Sequence, residues 1–281
     1  MLVSVVSFVV VAILLISFAT QLLVPFIPFS AEQKIADTFV GDMKDEQVQP
    51  EDVPLVQYLQ TLADHLAKAE GLPDDMHITV HYIDSDTVNA FATLGGHVFM
   101  FRGLLKSVPN ENALAMVMAH EIAHVKYRHP IKSLGRGVVT GTAIAMVSSA
   151  AGGDVVGNVL GETGLLTVLK FSRDQEQQAD EEALAALFKL YGHVEGANTV
   201  FDILKEAHKN DPNPPEFFSS HPHTDNRIEN LKAVAAQYDW PTEGAITPLP
   251  LQFKSWIKQA VVKSHDKEQD KVFRPKGGRF I

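Results

Sequence analysis

Residues 110–128 read NENALAMVMAHEIAHVKYR, and this stretch decides what kind of protein the chain is. Leu114, Val117, Met118, Ile122 and Val125 recur at helical spacing, so the segment from about Glu111 to Arg128 is predicted to be a helix. Asn110 stands where a capping side chain is needed, and Pro130 marks the end. Within it lies His120-Glu121-Ile122-Ala123-His124. Residues four apart share a helical face, so both imidazoles can converge on one cation while Glu121 projects toward a water bound there. That is the geometry a hydrolytic zinc site requires.

Catalytic zinc takes three protein ligands and keeps one position for water, so a third ligand must come from elsewhere. A histidine ten residues after His120, preceded by a glycine, is one known solution. Here Tyr127 and Pro130 occupy those places and His129 is one residue out of register. The other candidate is Glu176 in FSRDQEQQAD, where Glu176 and Asp180 share a helical face beside Ala179 and Ala183. Spacing alone leaves Asp174, Glu181 and Glu182 as rivals.

Working outward, Leu55, Leu59, Leu62, Leu66 and Ala69 predict a helix ended by Gly71-Leu72-Pro73. Ile78 to Ile83 alternates apolar with polar, and Phe91 to Thr93 and His97 to Phe101 flank the turn Leu94-Gly95-Gly96, which together predict a small antiparallel sheet. Downstream, helices are predicted over about 163–191, closed by Gly192, and 194–209, with Thr224 or Asp225 capping a further one. Val138 to Ala151 is apolar but short for a membrane span. A single crossing there would put His124 and Glu176 on opposite sides of the bilayer, and Asp154, Asn158 and Glu162 make a hairpin with 155–169 expensive, so a buried or surface-covering helix is expected.

Leu2 to Val24 is almost unbroken hydrocarbon and meets the roughly 20 residues needed to cross a bilayer core. We read residues 1–29 as a transmembrane anchor. A cleaved signal sequence is the rival, but no Lys or Arg precedes the apolar run. The remaining divisions are a linker over 30–54, a catalytic domain over 55–240 and a C-terminal extension over 241–281. Lys and Arg number 24 against 34 Asp and Glu, a formal net charge of −10, which disfavours nucleic acid as a partner. Cysteine is absent, so metal ligands must be His, Asp or Glu.

Four blocks in order, NAFATLGG, AHEIAHVKYRH, SRDQEQQAD and SHPHTDNRI, resemble the HtpX/BepA/CAAX-prenyl-protease group of gluzincin zinc metallopeptidases. The resemblance covers about residues 75–232. It implies an α+β, mainly helical zincin-like metallopeptidase domain holding one zinc ion per chain. It makes Glu176 the third ligand beside His120 and His124, and places Asp180 behind a ligand histidine. It brings His221 to the metal, as oxyanion stabiliser or as a cap in a latent state, with Arg227 on the following helix. It further implies that an extended polypeptide substrate lies along an edge strand in the segment holding Asn89, Gly95, Gly96, His97 and Phe99.

The function expected is therefore zinc-dependent endoproteolysis of unfolded or misfolded envelope and membrane proteins, with Glu121 as base and His221 or Arg227 at the oxyanion. The alternative is a zinc-binding chaperone or assembly factor with little proteolysis. The expected setting is a single-pass membrane protein with its catalytic domain extracytoplasmic, on the periplasmic side if bacterial.

Overall fold

Leu55, Leu59, Leu62 and Leu66 line the buried face of a helix at the base of the core, Pro54–Glu70 (α2). The computed structural model describes residues 23–43, 54–137, 170–199, 201–203, 217, 221 and 226–257. Gly71 closes α2 in the left-handed region at φ 70°, and its amide bonds back to the Lys68 carbonyl. Ahead of α2 stands Phe29–Met43 (α1). After it come strands Thr79–Ile83 (β1), Ala90–Ala92 (β2) and His97–Phe101 (β3), then a short helix Arg102–Ser107 (α3).

The motif helix is Glu111–Lys126 (α4), capped by the Asn110 side chain, which accepts from the Ala113 amide. A further helical segment occupies 129–137. Arg173–Tyr191 (α5) and Arg227–Gln237 (α6) complete the body. α4 lies at the centre, packed along α5 and against α2, and its residues 112–125 are all buried. An all-round buried helix explains why its apolar stripe is accompanied by small residues such as Ala115, Ala119 and Ala123.

Several expectations change. The sheet is mixed, not antiparallel: its order is β1-β3-β2, with β1 parallel to β3 and β2 antiparallel to it. The β2–β3 hairpin forms as predicted, but β3 inserts next to β1 and leaves β2 on the edge. The helix expected from about 163 begins instead at Arg173, because Ser172 caps it. Ser172 Oγ accepts from the Gln175 amide, and Gln175 Oε1 accepts from the Ser172 amide. The first part of the expected linker is α1, whose Ala36 and Phe29 are buried against the Leu94–Gly96 turn. A Cβ on Gly96 would come within 2.0 Å of the His77 carbonyl, so this turn demands glycine.

Past α6 the chain straps back over the body. Pro241 accepts from the Val194 amide, and Thr247 bonds through its carbonyl to the Glu111 amide and through its amide to Asn112 Oδ1. Phe253 and Ile257 are buried. Most of the apolar N-terminal segment, residues 1–22, lies outside the described residues, as do 138–169, most of 204–225 and the tail beyond 257. No helix among the described residues is long and apolar enough to cross a membrane.

Candidate metal centre

α4 delivers His120, Glu121 and His124 from one and a half turns of helix. Helical spacing brings the two Nε2 atoms 3.0 Å apart. α5 crosses them with Glu176 in its first turn, its Oε2 3.5 Å from His120 Nε2 and its Oε1 3.5 Å from His124 Nε2. His221 enters from the segment before α6, with Nδ1 3.2 Å from His120 Nε2 and 3.1 Å from Glu176 Oε1. One donor atom from each of His120, His124, Glu176 and His221 lies within 4.8 Å of the others. All four residues are buried.

These residues fit a divalent metal. Two ring nitrogens face each other, and the buried Glu176 Oε2 makes no hydrogen bond, only an ion pair with Arg227. A cation among them would satisfy all three. Three imidazoles and a carboxylate form a nitrogen–oxygen donor set of the kind zinc takes. Apolar rings close the surroundings: Phe171 stacks on His124 at 3.9 Å between centroids and Phe217 on His221 at 4.5 Å.

The decisive comparison is with known families. A family model described as Peptidase family M48 matches residues 55–235. The chain belongs to peptidase family M48. Its relatives include the beta-barrel assembly-enhancing protease of Yersinia pestis, 28% identical over 222 residues, which are 73% of this chain and 44% of that protein. The mitochondrial metalloendopeptidase OMA1 of Schizosaccharomyces pombe is 29% identical over 182 residues, covering 64% of this chain and 52% of the relative. The chain thus spans about half the length of these M48 relatives. The resemblance read from the four motif blocks is borne out.

Around the M48 motif, the second layer is charged on one side. Asp180, one turn after Glu176, places Oδ1 2.9 Å from His120 Nδ1. Arg227 clasps the same carboxylate in a two-pronged contact, Nε to Oδ2 at 2.7 Å and Nη2 to Oδ1 at 2.6 Å, and sets Nη1 3.2 Å from Glu176 Oε2. Phe201 lies under its guanidinium at 4.8 Å. Burial alone would raise the Asp180 pKa, but Arg227 and His120 hold it below the usual carboxylate range. Glu176 is likewise held well below that range, with His221 and His120 outweighing desolvation. Burial pulls His120 down, yet hydrogen bonds with Asp180 and Glu176 carry it up to about 10 in the metal-free chain. His124 goes the other way, pushed well below the ordinary histidine value by burial and by the neighbouring His120.

Glu121 is fully buried. Its Oε2 accepts from the Ala92 amide at 2.8 Å and its Oε1 lies 3.3 Å from His221 Nε2. Because Thr93 and Asn89 bond inward to β3, Ala92 turns its amide away from the sheet, toward α4. The substrate-strand residues are placed less favourably. His97 and Phe99 sit on the central strand β3, whose edges are both paired. Gly95 and Gly96 are covered by α1 and the chain at His77. Only Asn89 adjoins the edge strand β2, and it is buried.

Sequence reasoning passed over two residues here. His129, set aside as one residue out of register for a third ligand, is buried with Nδ1 2.8 Å from His124 Nδ1. Phe171, directly before the capping serine, had no distinguishing pattern. Arg227, one of the two oxyanion candidates, directs its fork at Asp180 and its Nη1 at Glu176.

Proposed function

We propose that this M48 chain is a zinc-dependent endopeptidase acting on extended stretches of unfolded or misfolded protein. The observation that carries this reading is the convergence of His120, His124 and Glu176 with Glu121 on the adjoining helical position. Bound zinc would be held by those three residues, supplying a polarised water and an electrophile for the scissile carbonyl. Glu121 takes the proton of the attacking water and returns it to the leaving amine. Asp180 and Arg227 orient His120 and balance its charge. Of the two edge strands, β2 adjoins the centre, its Ala92 amide bonded to Glu121, and we take it as the strand that would pair with substrate backbone.

His221 is the fourth donor of the cluster, and a bound zinc would then have four protein ligands. We read this as a latched state from which His221 withdraws to admit water. Four protein ligands also favour a second reading, a zinc-bound client-binding factor without proteolysis. The setting we propose is tethered at a membrane through the apolar N-terminal segment with an extracytoplasmic body. The names of the relatives, one a protease enhancing β-barrel assembly and the other a mitochondrial metalloendopeptidase, support a role in protein quality control there.

The test is zinc analysis together with digestion of a denatured protein. Glu121→Gln is expected to keep stoichiometric zinc and lose cleavage, and undiminished turnover would refute the base assignment. His221→Ala is expected to cleave at least as fast as the wild type. Absence of cleavage in both wild type and His221→Ala, with zinc bound, would favour the client-binding reading.

A further inference from the structure

His124 lies at the metal centre with one nitrogen already spoken for. Its Nε2 faces the donor cluster, 3.0 Å from His120 Nε2, while its Nδ1 lies 2.8 Å from Nδ1 of His129. A neutral imidazole carries one proton, so each ring has one donor and one acceptor. Only one hydrogen can sit between the two Nδ1 atoms. If His129 supplies it, the single proton of His124 is on Nε2 and blocks the lone pair a metal needs. If His124 supplies it, Nε2 is free.

The remaining nitrogen of His129 decides between these. Its Nε2 lies 3.2 Å from Gln178 Oε1, and a carbonyl oxygen only accepts. The proton of His129 is therefore on Nε2, its Nδ1 accepts, and His124 donates from Nδ1. We propose that His129, oriented by Gln178, is a positioning residue that holds His124 in the tautomer able to bind metal through Nε2.

The backbone is arranged for this contact. A continued α4 would carry residue 129 away from the face of residue 124, since five residues turn a helix through about 500°. Instead Arg128 takes φ 57°, in the left-handed region, and the chain doubles back beneath His124. Non-glycine residues rarely stand there unless their surroundings hold them. Arg128 is held through Nε by Glu32 at 2.6 Å, through Nη1 by the Ile27 carbonyl at 3.1 Å, and over the Phe29 ring at 5.6 Å. Gln178 comes from α5, two residues after Glu176. One helix therefore carries a candidate ligand, the carboxylate behind His120 and the amide behind His129.

This inference rests on the metal-centre reading, and its experiment separates the two. Zinc affinity of the full chain is measured by chelator competition, and the thermal midpoint is measured for the metal-free protein. His129→Leu keeps the burial but offers no acceptor. It is expected to weaken zinc about 10-fold or more. His129→Asn places an amide oxygen where Nδ1 stood, accepts the same proton, and is expected to bind within about 3-fold of wild type. The thermal midpoints of the two metal-free variants set any loss of zinc affinity against loss of fold, because Leu also leaves the His124 Nδ1–H unpaired. Nitrogen chemical shifts of the metal-free wild type should show a protonated Nδ1 on His124. The proposal is overturned if His129→Leu binds zinc like the wild type, or if Leu and Asn variants weaken equally. It is overturned equally if His124 proves protonated on Nε2. Wild-type protein that binds no zinc would instead remove the metal-centre reading on which it stands.

Discussion

Two histidines four residues apart on α4 are oriented by opposite means. Behind His120 stands a charged relay, Asp180 clasped by Arg227, both fully enclosed. Behind His124 stands a neutral one, His129 and the amide of Gln178. The contrast shows in their basicity: in the metal-free chain the carboxylates raise His120, whereas burial depresses His124, and His129 is itself pushed down to about 4. A pair of ligand histidines served by two carboxylates would accumulate charge in a closed core, which is costly. One charged and one neutral support keep the number of buried ions low while fixing both rings.

Breaking the charged side has the largest expected consequence. Arg227→Met leaves Asp180 and Glu176 buried without their guanidinium, and should lower unfolding stability by about 3–5 kcal/mol in a denaturant titration. Asp180→Ala removes the group behind His120 and is expected to weaken zinc about 10- to 100-fold by chelator competition. An unchanged affinity would show that His120 needs no such support.

Another buried acid sharpens the comparison because no group hydrogen-bonds to its carboxyl. Glu70 is enclosed and both carboxylate oxygens lack a hydrogen bond. Burial, reinforced by Glu182, pushes its carboxyl well above the ordinary carboxylate value of 4.5, with Lys126 and His120 only partly offsetting it. The folded chain therefore keeps a proton that the unfolded chain releases, and stability falls as pH rises above about 4.5. Glu70→Gln should be more stable than wild type at neutral pH by about 1–3 kcal/mol, with the gap closing toward pH 4 in thermal melts. A gap independent of pH would contradict an uncompensated carboxyl. The smallest effect is expected at the start of α5. Ser172→Ala removes the cap that begins the helix carrying Glu176, Gln178 and Asp180, at a cost of about 1 kcal/mol in stability.

Much of the centre was legible before any coordinates. The helix from Glu111, its Asn110 cap and the facing of His120 and His124 are local properties, encoded within a few residues. The capping box at Ser172 was equally local, and attention to SRDQ would have started α5 at Arg173 rather than near 163. Sheet order was not legible, because alternation in Thr79–Ile83 states that a strand forms and not which neighbour it takes. For the same reason the edge-strand assignment took in His97 and Phe99 of β3, the strand that ends up in the middle.

The amino-acid order by itself determined the motif helix, its two imidazoles and the Glu121 carboxylate between them, and the donor types open to a chain without cysteine. Only the tertiary structure decided that Arg227 serves Asp180, that His221 closes the donor cluster, and that His129 turns under His124. Those contacts join residues up to 101 apart or depend on one left-handed residue, Arg128. Helical periodicity repeats every few residues and carries no record of such meetings. Packing of α4 against α5, and the folding back of the chain at each helix end, is what makes them.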